Sequence, residues 1–182
     1  MHLLSSTQIP AHFGPMFYSG GLGRLIFMFI SAAAIAGCNG QSAGVSKNLN
    51  TGMVTTTKGL QAATNKMVMN DEVINHTDIP LGESFFIINE GVKGLTVKDG
   101  KVAVGCALTI TDAKGKVLLD EPDLFKGSDI FDKDKIDYLR CKVNTGKPMN
   151  WEEKYTVRVL FTDKYGKGSI ENKVDIKMID IP

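Results

Sequence analysis

The carboxy-terminal third of the chain alternates apolar and polar residues over two long segments, 155–162 and 170–178. A period of two places one face of a strand in a core and the other in solvent. The connector 163–168 contains two glycines, which tolerate the backbone angles of a tight turn, so the segments are predicted to form a hairpin. The inward positions are Tyr155, Val157, Val159 and Phe161 in the first strand and Ile170, Val174, Ile176 and Met178 in the second.

The same alternation recurs upstream at 102–110, where Val102, Val104, Cys106, Leu108 and Ile110 share one face. An Asp-Gly pair at 99–100 and the segment 112–115 indicate turns on either side. Further candidate strands lie at 85–88, 95–97, 116–119 and 138–143. About seven short strands, without a long helical period between residues 71 and 182, predict an all-β fold: an antiparallel, immunoglobulin-like β-sandwich.

Charge is distributed unevenly along the chain, because Asp71 is its first acidic residue. Residues 71–182 contain 17 Lys and Arg against 20 Asp and Glu, a formal balance of −3. They contain no basic stripe with interleaved aromatic residues, which argues against a nucleic-acid partner. The alternating charges at 171–177 are typical of the solvated face of a strand.

An apolar run precedes the first cysteine, Cys38. Arg24 is the only charged residue among the first 46, and it is followed by apolar residues at 25–30 and small ones at 32–37. This order is typical of a secretory signal peptide over residues 1–37, with Met16 as an alternative start. An uncleaved anchor over 22–37 would cover only about 24 Å, short of a hydrocarbon core of about 30 Å.

The residues Ile35-Ala36-Gly37-Cys38 resemble the lipobox of bacterial lipoproteins, with Ile35 where Leu is commonest. The resemblance implies cleavage before Cys38, acylation of that residue by palmitate-type chains, and a membrane as partner. Asn39 replaces the Asp that retains many lipoproteins at the inner membrane, so in an organism with two membranes the resemblance favours the outer one. The domain would then face the periplasm or the exterior.

The segment after the lipid-bearing cysteine, residues 38–70, has no acidic residue and is rich in Gly, Ser, Thr and Asn. This composition predicts a flexible tether, with the β-sandwich domain over 71–182. The alternative is that residues 59–69 dock on the domain as an edge strand or a short helix.

Cys106 and Cys141 are the remaining cysteines, and both fall on inward positions of predicted strands. Export would place them where disulfide bonds persist, and a bridge closing this loop would stabilise the fold by about 3–4 kcal/mol. The alternative is two separate buried thiols that act as small hydrophobic residues. Sequence leaves both interpretations open.

Catalysis finds little support in the sequence. His76 is the only histidine after the leader, and it lies in a polar stretch without a GxSxG motif. The sequence contains no CxxC motif, the spacing that would indicate a metal site. We therefore expect a non-enzymatic protein, with a small hydrolase built on His76 or on an acid pair as the least favoured class.

The segment 120–137 is the most acidic loop, and the exposed-loop candidate 148–153 contains the only tryptophan, Trp151. The acids singled out as candidate ligand residues are Asp123, Asp129, Asp132, Asp134 and Asp137. Clustered carboxylates suit calcium, but the intervening lysines, Lys126, Lys133 and Lys135, would repel a cation. The prediction is a membrane-anchored module that binds or assembles with an unknown protein or glycan through these loops; a calcium- or glycan-binding sandwich is the alternative.

Overall fold

The computed structural model describes residues 42–180, and these contain twelve strands and one short 3-10 helix, Lys133–Lys135. The strands are β1 (Ala43–Lys47), β2 (Val54–Lys58), β3 (Thr64–Met69), β4 (Glu72–Ile74), β5 (Asp78–Pro80), β6 (Ser84–Glu90), β7 (Lys101–Asp112), β8 (Val117–Glu121), β9 (Ile130–Asp132), β10 (Tyr138–Asn144), β11 (Lys154–Asp163) and β12 (Ser169–Ile179). The signal peptide predicted over 1–37 and the lipidation site Cys38 lie outside the described residues.

The strands form two sheets. The larger has the order β1-β2-β12-β11-β7-β8, with β5 added beside β12 and β9 beside β7. The smaller has the order β10-β6-β3-β4. All pairings are antiparallel except that of β5 with β12, where Ile79 lies opposite Met178 in parallel register. The predicted all-β class and its antiparallel sheets are confirmed.

One hydrophobic core joins the two sheets. It contains the inward residues predicted for β7, β11 and β12 together with Phe85, Ile87 and Val143 from the smaller sheet. The outward positions of β12 at 171, 173, 175 and 177 are half-buried or exposed, as the alternating charges predict. The hairpin of β11 and β12 is confirmed by continuous pairing from Lys154 with Lys177 to Thr162 with Ser169.

The prediction of about seven strands is too low, and the flexible tether is wrong for residues 42–70. β1, β2 and β3 all lie in this segment, and β3 occupies an interior position between β6 and β4. Met53, Leu60 and Met67 have 1%, 0% and 1% of their surface exposed. Threonines occupy three of the five positions of β2, and β-branched residues favour strands even where the composition is polar.

Residues 95–97, predicted as a strand, form none. The backbone N–H of Thr96 donates to Oδ2 of the buried Asp163 at 2.8 Å, so a carboxylate takes the place of a strand partner. The predicted turn at Asp99-Gly100 is confirmed by reciprocal 2.9 Å hydrogen bonds between the backbones of Lys98 and Lys101. No helix within residues 42–180 is long and apolar enough to cross a membrane.

Candidate functional site: a pocket beside the acidic loop

Asp123 fixes the start of the acidic loop to the larger sheet. Its Oδ1 accepts backbone N–H hydrogen bonds from Cys106 on β7 and from Phe125, both at 3.1 Å. The Leu124 N–H donates to the carbonyl of Cys106 at 2.7 Å. The start of the loop is therefore hydrogen-bonded to both backbone groups of Cys106, its N–H and its carbonyl.

Lys164 holds the second point of the loop. Its ammonium donates to Asp123 Oδ2 and to Asp129 Oδ2, each at 2.6 Å. The backbone takes part as well, because the Val104 N–H donates to the carbonyl of Asp129 at 2.9 Å. Both ends of segment 123–129 are thus attached to strands of the larger sheet.

These contacts lower the pKa values of two carboxyl groups in the loop. Desolvation acts to raise the pKa of Asp123, but hydrogen bonds from Lys164 and from the Cys106 and Phe125 amides outweigh it, so the pKa lies below its ordinary value. The pKa of Asp129 is lowered chiefly by the hydrogen bond from Lys164. Both side chains are therefore carboxylates at neutral pH and remain paired with a cation.

Asp132, at the end of β9, belongs to a second ion-pair group. Its carboxylate accepts from Lys101 and lies 3.0 Å from the ammonium of Lys135. Hydrogen bonds from Lys101 and then Lys135 lower its pKa to about 2. Asp132 thus joins the end of β9 to the start of β7.

The five acids of the loop do not converge. Asp123 and Asp129 share a lysine, Asp132 has two of its own, and Asp134 and Asp137 are exposed. Across residues 42–180, no three His, Cys, Asp or Glu side chains are grouped as a metal ion would require. The calcium alternative therefore gains no support from this geometry, because lysine ammonium groups lie where a cation would.

The loop instead forms one wall of a pocket of about 350 Å³. The other wall is the start of β10, an edge strand of the smaller sheet. The lining residues are Phe125, Ser128, Phe131, Lys135, Ile136, Tyr138, Leu139 and Arg140.

Aromatic rings connect this pocket to the core. Phe125 packs edge-to-face on Phe131, with ring centroids 6.1 Å apart, and lies 6.3 Å from the ring of the buried Phe161. Such contacts add to the burial energy of the rings and fix their orientation. The apolar wall is therefore packed against the core on one side.

Two cations stand at the rim of the pocket. The Arg140 guanidinium lies over the rings of Phe86 and Tyr138, 5.4 and 5.9 Å from their centroids. Unlike Lys135, which pairs with Asp132, Arg140 has no carboxylate partner within residues 42–180. A guanidinium held by aromatic faces and free of an acid is suited to an incoming anion.

The remaining candidate residues lie elsewhere. Trp151 is 58% exposed in the turn between β10 and β11 and does not line the pocket. His76 is exposed between β4 and β5. Cys106 and Cys141 are buried free thiols on β7 and β10, one from each sheet.

The sequence pointed to the carboxylates of this loop, and none of them lines the pocket. The lining residues include instead the aromatic ones between these acids, together with Tyr138 and Arg140 beyond them. The available signal was the alternation at 138–143, which makes Tyr138 and Arg140 exposed neighbours on one face of an edge strand. Only the pairing of β10 with β6 reveals that this strand lies at an edge, beside the loop.

No family model matches the chain, and no curated protein matches it either. Among solved structures, the C-terminal domain of wzt is similar with a TM-score of 0.47 at 8% sequence identity, over 78% of this chain and 80% of that one.

Proposed function

We propose that this protein is a lipid-anchored, extracytoplasmic binding module that takes a ligand in the pocket between the acidic loop and β10. The observation that carries the proposal is the combination of an aromatic wall with an unpaired guanidinium, that of Arg140. This combination suits a small ligand with a flat or apolar body and an anionic group.

The lining favours binding over catalysis. The eight lining residues include no acid, histidine or thiol, and Ser128 supplies the only aliphatic hydroxyl. A serine without a neighbouring base is a weak nucleophile. A non-enzymatic role is therefore the better match to these side chains.

The proposed location of the domain, beside a membrane, follows from lipid anchoring at Cys38. Five Cα steps separate residue 38 from Ala43, the first residue of β1, which corresponds to about 18 Å at full extension. A lipidated Cys38 would hold the domain close to the bilayer rather than on a long tether. In an organism with two membranes, Asn39 favours the outer one.

Binding is tested with the fluorescent anion 8-anilinonaphthalene-1-sulfonate as probe and NMR shifts as the readout that locates it. We expect shifts at Phe125, Phe131 and Tyr138 and about tenfold weaker binding in Arg140→Gln. The matched control is Lys142→Gln, since Lys142 is exposed on the same face of β10 but does not line the pocket. Equal losses in both variants, or shifts confined to another surface, would contradict the proposed site.

Anchoring is tested by the intact mass of the protein purified from membranes. We expect a chain that begins at Cys38 and carries acyl groups, and a Cys38→Ser variant that is not acylated. A chain that retains residues 24–37 and carries no acyl group would overturn this part of the proposal.

A further inference from the structure

Another hollow, of about 320 Å³, lies between the inner faces of β1 and β2 and the start of β3. A smaller one of about 270 Å³ adjoins it and shares four of its lining residues, Ser46, Thr55, Ala62 and Asn65. We call the two together the polar cleft. It is open because the larger sheet extends beyond the smaller one at this edge: all five residues of β1 are exposed, so the smaller sheet covers neither face of that strand.

The lining of the polar cleft is rich in uncharged hydrogen-bonding groups. Strand register places Ser46 opposite Thr55 and Gly44 opposite Thr57, so the inner face of β1 and β2 presents hydroxyl groups. Among the lining residues that the structure describes, Lys47 is the only charged one and none is aromatic. The larger hollow is lined by four hydroxyl and two amide side chains, those of Ser42, Ser46, Thr55, Thr57, Gln61 and Asn65.

Buried amides without hydrogen-bond partners lie next to this lining. Asn89 of β6 is opposite Asn65 in the strand register, and Asn172 of β12 is opposite Thr55. Asn89 and Asn172 are both 0% exposed. Within residues 42–180, four side-chain atoms of the three asparagines have no partner: Oδ1 of Asn65, both polar atoms of Asn89, and Nδ2 of Asn172. Because unpaired buried groups cost free energy, a ligand or water that supplies partners from the cleft is favoured.

These groups determine the class of ligand that the polar cleft suits. An ion would find a single lysine, and an apolar molecule would leave the polar lining unpaired. The unpartnered atoms include both acceptor oxygens and donor nitrogens, and a hydroxyl group donates and accepts at once. We propose that the polar cleft binds a neutral saccharide, whose adjacent hydroxyl groups form hydrogen bonds with Ser46, Thr57 and Asn65.

The three contacting side chains differ in how far they are open to a ligand. Ser46 is exposed and Thr57 is half-buried. The Thr57 hydroxyl makes one long contact, 3.4 Å from the carbonyl of Gly44, so it can form a shorter bond with a ligand. The oxygen of Asn65 is covered, but the terminal torsion of asparagine is broad, and rotation about it turns the amide toward the cleft.

The polar cleft is separate from the pocket that contains Arg140. The two share no lining residue in the described part of the chain, so the saccharide site stands whether or not that pocket binds an anion. Without an aromatic face, saccharide binding depends on hydrogen bonds that compete with water. We therefore expect a Kd of about 1–10 mM.

The test uses the isotope-labelled full chain in a detergent without sugar headgroups. The probes are maltose, cellobiose and N,N′-diacetylchitobiose, three neutral disaccharides that differ in linkage and substituents. With at least one of them we expect NMR shifts at the backbone amides of Ser46 and Thr57 and at the side-chain amide of Asn65. Unchanged signals with all three would overturn the inference, as would larger shifts there with the neutral peptide N-acetyl-triglycine amide.

Thr57→Val and Thr56→Val form a matched pair of variants. The two threonines are adjacent on β2, but Thr56 does not line the polar cleft. Each change replaces a hydroxyl by a methyl group and keeps a β-branched residue in the strand. We expect Thr57→Val to weaken binding of the responding disaccharide about fivefold and Thr56→Val to leave it unchanged. Equal affinities in the two variants would contradict the site.

The variant Asn65→Leu separates saccharide binding from internal hydration. It removes an unpartnered oxygen, so the melting temperature should not fall, while binding should weaken about tenfold. Unchanged binding would overturn the site. A lower melting temperature together with unchanged binding would show that internal water satisfies Asn65 instead.

Discussion

The ammonium of Lys164 lies 2.6 Å from the carboxylate of Asp123, although 41 positions separate the two residues in the chain. The same ammonium reaches Asp129, so one side chain beyond the end of β11 holds both ends of a loop that follows β8. The loop carries Phe125 and Ser128 into the candidate pocket. An ion pair of a kind that usually adds little to stability here fixes the position of one wall of the candidate pocket.

Replacing Lys164 by Met should loosen this loop without unfolding the domain. We expect backbone amides between 123 and 129 to exchange several-fold faster, while the melting temperature changes by only a few degrees, because the ion pairs are partly solvated. Hydrogen exchange followed by mass spectrometry measures the exchange rates, and thermal unfolding followed by circular dichroism measures the melting temperature. Lys167→Met, an exposed lysine of the same turn without an ion pair within residues 42–180, is the control and should leave exchange unchanged.

Acid should weaken the attachment of β9 through Asp132. Its pKa in the folded protein is about 2, below the ordinary value of 3.8, because of Lys101 and Lys135. A lowered pKa means that the carboxylate stabilises the fold above pH 4 or so, and that this contribution disappears as the pH falls toward about 2. Urea unfolding between these pH values should therefore be steeper in its pH dependence for wild type than for Asp132→Asn.

The neighbouring variant Asp134→Asn supplies the comparison for this pH series. Asp134 is exposed in the 3-10 helix and forms no ion pair within residues 42–180. It should follow the wild-type pH dependence. If Asp132→Asn followed it as well, the ion pairs of Asp132 would contribute nothing to stability.

Strand periodicity predicted the fold best where both members of a hairpin are amphipathic. β11 and β12 alternate strictly, and β7 alternates from Cys106 onward. The turns after β7 and β11 begin with Asp112 and Asp163, whose carboxylates accept backbone N–H groups of the turn. These local signals depend only on neighbours in sequence. The turn segments 111–116 and 162–167 are accordingly similar for reasons of backbone geometry.

Periodicity failed where a strand is stabilised by distant residues. β2 is a threonine-rich segment whose place in the larger sheet comes from pairing with β12, more than a hundred positions away. The pocket escaped prediction for the same reason, since its two walls belong to the loop after β8 and to an edge strand of the other sheet. From composition alone, such segments are predicted to be polar linkers, because the distant strand that pairs with them is not visible in the local sequence.

Asn89 presents a separate prediction, on stability. It is fully buried on β6, and within residues 42–180 neither its side-chain oxygen nor its side-chain nitrogen has a hydrogen-bond partner. Replacing it by Leu removes two unsatisfied polar atoms at similar volume, so the free energy of unfolding should rise by about 1–2 kcal/mol. Urea denaturation measures the change.

For a second buried asparagine, Asn172, we expect replacement by Leu to lower stability. Asn172 accepts a hydrogen bond from Thr55 at 2.9 Å, so Asn172→Leu leaves that buried hydroxyl without its acceptor. This variant should lose about 1 kcal/mol or more. A loss in Asn89→Leu as large as in Asn172→Leu would mean that Asn89 is satisfied in solution, for example by internal water.

Truncation of Leu60 tests whether segment 42–70 is part of the folded core. It is 0% exposed and packs beside Gly168, where even an added methyl group would collide with the leucine side chain. If the segment is part of the core, Leu60→Ala should cost about 2–5 kcal/mol, the range for truncating a buried leucine. Leu49→Ala is the matched control, because Leu49 lies in the same segment but is 93% exposed, and its truncation should change stability by less than about 0.5 kcal/mol. Urea denaturation of both variants makes the comparison. Equal and negligible effects would return residues 42–70 to the role of a tether, since a disordered segment does not distinguish its leucines.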